Sequence, residues 1–159
     1  DGGFFSSPNV AYANKGRTEV DPKTGQIYYR SYATATCDGI LALLALGIDK
    51  SDSRVTDAAR WLRANEDWNL PSGIPLDDPS PWAESMRYYH LMVRAETYAA
   101  LDMSGDWRKI LVHFLADKQL PDGSFLNPEG RLMKEDDPML CTAFAVIALK
   151  GLIYDAIED

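Results

Sequence analysis

The chain has 159 residues, a mass of 17.7 kDa and a formal net charge of −8. Apolar residues make up 46% of it, enough to bury a core, so the composition excludes a chain that is disordered throughout. Basic residues are scattered, which argues against nucleic acid as a partner, and no apolar run reaches the roughly 18 to 20 residues of a membrane span.

Five segments have the apolar spacing of helices, and loops rich in glycine and proline separate them. They cover Tyr32–Gly47, Ser51–Trp68, Ser80–Met103, Asp106–Gln119 and Asp137–Tyr154. Candidate N-caps are Thr34, Thr36 or Asp38 for the first, Ser51 or Ser53 for the second, Asp106 for the fourth and Asp137 for the fifth. Residues 25–32, "GQIYYRSY", are expected to form loop or the edge of a minor hairpin, so the predicted class is all-α.

Several short sequences occur twice. "DGGFF" at residues 1–5 is similar to "DGSF" at residues 122–125, and "LPSG" at residues 70–73 is similar to "LPDG" at residues 120–123. The run "LALLAL" at residues 41–46 also matches "FAVIAL" at residues 144–149. These matches indicate a repeating unit of loop, inner helix, short link and outer helix.

An array of such units exposes apolar faces at its two ends unless something covers them. We therefore expect residues 1–159 to be a single incomplete domain, truncated at both ends, of a longer repeat protein. The alternative is a short protein whose homodimer covers the same faces.

The repeats resemble those of the terpenoid cyclase and protein prenyltransferase superfamily, which includes squalene-hopene cyclase-like proteins. Its QW repeat places an aromatic–leucine pair late in an outer helix, then glutamine, then glycine and an aromatic residue. "FLADKQLPDGSF" follows this pattern at Phe114, Gln119, Gly123 and Phe125, although the family has tryptophan at the last position. The resemblance implies a partial α/α toroid of about five helices, in which Gln119 bonds the amides at the start of the next helix.

The resemblance also implies a catalytic acid, because class II cyclases use an Asp-x-Asp-Asp motif to protonate their substrate. The nearest sequence is "KEDDPMLCTA", where Asp136 and Asp137 are weak catalytic candidates because the acids precede a proline. The alternative is that Asp137 caps a helix and that Glu135 and Asp136 are solvated. Asp38 is a third weak candidate, with helix capping as its alternative.

A zinc site is the prenyltransferase alternative, since that group binds zinc through Asp, Cys and His. Asp137 and Cys141 lie one helical turn apart, but Leu140 occupies the position of the family's histidine. The remaining ligand would have to be His90. We therefore expect no metal and no other cofactor, with Asp137 and Cys141 as weak candidates only.

The segment "YYHLMVRAETY", residues 88–98, carries most of the side chains suited to ligand binding. Tyr88, Tyr89, His90 and Arg94 are the predicted ligand contacts, with tyrosine faces against an isoprenoid chain and Arg94 against a diphosphate. The alternative is that the tyrosines and His90 are packed in the interior and that Arg94 pairs with Glu84 or Glu96.

Two functions follow from the resemblance. In the first, the intact toroid binds or cyclises a hydrophobic isoprenoid. In the second, it is catalytically silent and binds a protein or another ligand. A polysaccharide-active barrel using Asp77, Asp78 and Glu84 is a third choice.

Overall fold

Helices form about half of the protein in the computed structural model, which describes residues 1–153. In this part of the chain there are six helices and one two-stranded sheet. The helices are α1 (Ala33–Ala45), α2 (Ser53–Ala64), α3 (Trp82–Ser85), α4 (Arg87–Ala100), α5 (Trp107–Lys118) and α6 (Pro138–Ile153). Two 3₁₀ turns cover Ala11–Ala13 and Gly130–Met133. The last residue of the fifth predicted helix, Tyr154, lies outside the described residues.

The sheet is an antiparallel hairpin of β1 (Thr18–Val20) and β2 (Ile27–Tyr29). Its turn is held by Asp21, whose carboxylate accepts the backbone amides of Lys23 at 2.7 Å and Thr24 at 3.2 Å. The predicted minor hairpin edge is therefore present, and the fold is mainly α rather than all-α.

The first helix ends as its sequence predicts. Gly47 adopts a left-handed conformation with φ +79°, where a side chain would be strained. Its amide donates to the Leu44 carbonyl at 2.9 Å, and the Ile48 amide donates to the Leu43 carbonyl at 3.0 Å. This pair of bonds is a Schellman motif, which satisfies carbonyls at the end of α1.

The predicted caps are partly wrong. Tyr32 is the N-cap of α1 and makes no side-chain capping bond, while Thr34, Thr36 and Asp38 all lie inside the helix. Asp52, rather than either predicted serine, caps α2. Asp106 precedes α5 without a capping bond. Asp137 does cap α6, because its carboxylate accepts the amide at residue 139 at 2.9 Å.

The third predicted helix is interrupted at Met86, where the backbone has φ −120° and ψ 31°. The buried carboxylate of Glu135 accepts the amides of Tyr88 at 2.9 Å and Tyr89 at 2.7 Å. In a continuous helix these amides would bond the carbonyls four residues earlier. Because Glu135 takes them instead, α3 ends and α4 starts there. The expectation that Glu135 is solvated is wrong, since it is 0% exposed.

Helix α4 lies in the middle of the packing. It contacts α1, α5 and α6, while α2 packs against α1 and α5 packs against α6. An aromatic cluster closes one side of α4, where Trp68 stacks on Trp107 at 5.9 Å and meets Tyr98 edge-on at 5.3 Å. These contacts explain the burial of the two tryptophans without a ligand.

The two Asp-Gly bends have the same local geometry. Asp1 accepts the Gly3 amide at 3.0 Å, and Asp122 accepts the Ser124 amide at 3.0 Å. The residue that follows each bend also bonds a threonine of the next long helix. The Phe4 amide donates to the Thr36 hydroxyl at 3.0 Å, and the Phe125 amide donates to the Thr142 hydroxyl at 3.0 Å. The sequence similarity of the two bends therefore extends to their hydrogen bonds.

Gln119 makes a different contact from the expected one. Its side-chain amide donates to the Gly123 carbonyl at 3.0 Å, within its own turn, and not to the start of α6. Phe114 is half-buried on α5, and Phe125 is buried against Tyr88. Gly123 has φ +86°, so the turn itself requires a glycine-like conformation.

None of the described helices combines the length and the apolar character needed to cross a membrane.

Candidate functional site

A groove of about 390 Å³ lies between the N-terminal segment, α1 and the start of α4. Its larger lining side chains are Phe4, Phe5, Lys15, Tyr32, Asp38 and Tyr89. Small residues of α1 and the Met86 side chain complete the walls. We call this feature the Asp38 groove, after the acidic residue that lines it.

A polar pair inside the Asp38 groove joins two helices. The Tyr89 hydroxyl on α4 lies 2.9 Å and 3.0 Å from the two carboxylate oxygens of Asp38 on α1. Desolvation by the surrounding protein raises the pKa of Asp38, although Asp38 is an exposed residue, and the bond from Tyr89 opposes this change. Burial, followed by the Asp38 charge, raises the pKa of Tyr89. Tyr89 therefore keeps its proton at neutral pH and donates a hydrogen bond to Asp38.

Apolar rings surround this pair. Phe4 packs directly over Gly39 of α1, where an added Cβ would lie 2.9 Å from the ring. On the other side, the Tyr89 ring meets Phe144 of α6 edge-on, with ring centroids 5.8 Å apart. Phe144 supports the Tyr89 ring from outside the groove, so a ligand in the groove would meet the rings of Phe4 and Tyr89 beside the hydrogen-bonding pair.

Lys15 supplies a cation to the same groove. Its ammonium lies 3.8 Å from the ring centroid of Trp82 and donates to the Tyr12 carbonyl at 3.1 Å. Burial lowers the pKa of Lys15. The groove thus carries an acid from α1 and a base from the N-terminal segment, within otherwise apolar walls.

His90 lies on a part of α4 away from the groove and is 0% exposed. Its Nε2 is 2.8 Å from the Asp67 carbonyl, and because a carbonyl can only accept, Nε2 carries the hydrogen. Burial, with a smaller contribution from Arg94, lowers the pKa of His90 to about 3. His90 is therefore neutral at physiological pH.

Arg94 is also fully buried and bonded within the protein. Its guanidinium donates to the Tyr98 hydroxyl at 3.1 Å and to the Asn65 carbonyl at 3.3 Å, and it lies 5.7 Å from the Trp68 ring centroid. It thus joins α4 to the end of α2 rather than pairing with Glu84 or Glu96. A role in binding diphosphate would require it to leave these partners.

Tyr88 packs edge-on against Phe125 at 5.9 Å, and burial raises the pKa of its hydroxyl to about 12. Of the four predicted ligand contacts, Tyr89 lines the Asp38 groove, while Tyr88, His90 and Arg94 do not. The structure therefore does not bring the four side chains into one cavity.

The acids before α6 have separate environments. Asp136 is exposed, Asp137 caps the helix, and Glu135 caps α4. The Cys141 thiol donates to the Glu135 carbonyl at 2.8 Å, and burial raises its pKa to about 12. Since zinc binds thiolate, this protonated thiol is a poor ligand. Within residues 1–153, no group of three or more His, Cys, Asp or Glu side chains could hold a metal ion.

Sequence reasoning identified Asp38 and Tyr89 separately and did not pair them. The two residues are 51 positions apart, and no motif links them. Lys15 and Met86 were also missed, because they come from a loop and from an interruption between helices. Phe4 had a sequence signal, since it belongs to the repeated bend "DGGFF".

No protein-family model, curated protein or solved structure matches the chain.

Proposed function

We propose that the chain is part of an α/α toroid of the squalene-cyclase and prenyltransferase type, and that its Asp38 groove binds a hydrophobic isoprenoid. The order of helix contacts supports the toroid. Helices α1, α4 and α6 pack in sequence, with α4 in contact with both others, and α2 and α5 follow α1 and α4 along the chain. This is the order expected for three inner helices and two outer ones.

The Asp38–Tyr89 pair in an apolar groove is the observation that supports ligand binding most directly. Fixed polar groups within mostly apolar walls are typical of small-molecule sites, where apolar contacts supply affinity and polar groups fix orientation. The Asp38 carboxylate can accept a hydrogen bond from a ligand hydroxyl, while Phe4, Phe5 and the Tyr89 ring contact an alkyl or alkenyl chain. A prenyl alcohol has both parts.

Two observations favour a catalytically silent version of this function. The carboxylate of Asp137 is occupied by the start of α6, and Asp136 is exposed outside the groove. Neither acid is positioned to donate a proton to a ligand beside Asp38. Asp136 and Asp137 therefore give no support to cyclisation, and ligand binding, with Asp38 as a hydrogen-bond acceptor, is the function that we propose for the groove.

Titration of the isotopically labelled protein with farnesol, followed by NMR, tests the proposal. We expect saturable shift changes centred on Asp38, Tyr89 and the facing residues of α1. Replacing Tyr89 by Phe removes the hydroxyl and keeps the ring, so we expect about five- to tenfold weaker binding. Asp38→Asn should weaken binding by a similar factor.

The hairpin provides a matched control. The Tyr28 hydroxyl lies 2.7 Å from the Glu19 carboxylate, the same chemical pair at a site outside the groove. Tyr28→Phe should leave farnesol affinity unchanged. Farnesol shifts that do not saturate, or equal affinities in the Tyr89→Phe and Tyr28→Phe variants, would contradict the proposal.

A further inference from the structure

A second groove, of about 360 Å³, lies between α2 and the link that joins α4 to α5. Three basic side chains line it: Lys50, Arg60 and Arg63. No acidic side chain of the described residues lines it, although the whole chain has a net charge of −8. We call it the arginine groove. Asp102 and Asp57 pair with Lys50 and Arg60, so the uncompensated positive charge of the groove is that of Arg63.

The floor of the arginine groove is apolar. Val55 and Met103 are almost fully buried, and Ala59 and Leu101 are half-buried beside them. Val55 and Ala59 are four residues apart on α2, so they share a face of the helix. Ala59 and Leu101 thus provide the accessible apolar surface, above the buried Val55 and Met103, with cations along its edge.

The three cations differ in their existing partners. The Lys50 ammonium lies 2.6 Å from Asp102, and the Arg60 guanidinium lies 2.7 Å from Asp57. The Arg63 side chain, by contrast, makes no ion pair and no hydrogen bond with any residue from 1 to 153. All five donors of its guanidinium can therefore meet a ligand without breaking a contact of the protein.

We propose that the arginine groove binds a small anionic amphiphile, with a phosphate or carboxylate head on Arg63 and a short alkyl chain on the apolar floor. A guanidinium matches two oxygens of such a head with two parallel hydrogen bonds. The volume falls within the range of about 300–1,000 Å³ found for small-molecule sites, which favours a small molecule over a protein partner. This site is separate from the Asp38 groove and does not depend on its function.

Octyl phosphate is the probe, measured by NMR titration and calorimetry on the whole chain. We expect saturable shifts at Arg63, Leu101 and Met103. Octanol, which lacks the charge, and inorganic phosphate, which lacks the chain, should each bind at least about tenfold more weakly. Affinity should also fall as salt concentration rises, because part of the attraction is between exposed charges.

Arg63→Gln should weaken octyl phosphate binding by about tenfold. Arg54→Gln is the matched control, because Arg54 lies on the same helix but outside the groove, paired with Asp52. The affinity of the Arg54→Gln variant for octyl phosphate should change by less than about twofold. Equal affinities in the two variants, or octanol binding as tightly as octyl phosphate, would overturn the proposal.

Two other occupants would also be detected, and each overturns the proposal. If a second copy of the chain occupied the groove, the NMR signals of Leu101 and Met103 would shift as protein concentration rises. Octyl phosphate would then have no effect on these signals. Residues 154–159 of the same chain, which include three acids, would prevent octyl phosphate binding until they are deleted.

Discussion

The threonines that hold the two Asp-Gly bends give the sharpest test of the repeat geometry. Thr36→Val keeps the shape of the side chain but removes the hydroxyl that accepts the Phe4 amide at 3.0 Å. The Tyr32 carbonyl, which this hydroxyl also contacts, keeps a helical bond from the backbone amide of residue 36. The perturbation is therefore confined to one backbone amide that loses its acceptor.

Burial determines the magnitude. An amide left without a partner costs about 1–3 kcal/mol when water cannot reach it. The Thr36 side of the bond is 0% exposed and Phe4, whose amide loses its acceptor, is half-buried, so we expect Thr36→Val to lower the free energy of unfolding by about 1–2 kcal/mol. Thr142 is half-buried, and water can replace its hydroxyl, so Thr142→Val should cost about 0.5–1 kcal/mol.

Urea denaturation followed by far-UV circular dichroism measures both values. The slope of the free energy of unfolding against urea concentration should not change. Thr56→Val is the control, because the Thr56 hydroxyl is exposed and bonds the Ser53 carbonyl within the same helix. It should change stability by less than about 0.5 kcal/mol. Hydrogen exchange at the Phe4 amide should become faster in Thr36→Val only. A Thr142→Val variant that loses more stability than Thr36→Val would refute the reasoning.

Two further predictions concern buried polar groups. Glu135→Ala should lower the free energy of unfolding by about 3 kcal/mol in urea, because two amides at the start of α4 lose their acceptor; a loss below about 1 kcal/mol would show that α4 finds another cap. The pKa of His90 is about 3 in the folded protein, against 6.5 for a free histidine side chain. The unfolded chain therefore binds a proton more readily at this residue, and the contribution of neutral His90 to stability is lost as pH falls below about 6.5. The wild type should therefore lose about 2 kcal/mol more than His90→Gln between pH 7 and pH 5, and parallel pH dependence in the two proteins would contradict this assignment.

The positions of the long helices could be predicted from sequence because local signals specify them. The stripe of Val55, Ala58 and Leu62 is buried as its spacing predicts. Gly47 ends α1, as the backbone preference of glycine predicts, and Asp137 caps α6, as its carboxylate side chain predicts. Each of these predictions depends on contacts within about one helical turn.

The residue of α4 that lines the Asp38 groove could not be predicted in the same way. Eight of its residues are buried, including neighbours such as Val93, Arg94 and Ala95, because α1, α5 and α6 pack around it. Periodicity identifies the buried side of a helix only when another side meets water. His90 and Arg94 therefore looked as suitable for a cavity as Tyr89 does.

By itself, the sequence determined where the main helices lie, how α1 ends, and that the two Asp-Gly bends are alike. Only the tertiary structure decided that Glu135 interrupts the third predicted helix and that Asp38 meets Tyr89. The physical reason is that local hydrogen bonding and side-chain spacing depend only on residues that are close together in the sequence. A bond between groups 51 positions apart, or between a carboxylate and a distant helix start, exists only once the helices are packed together.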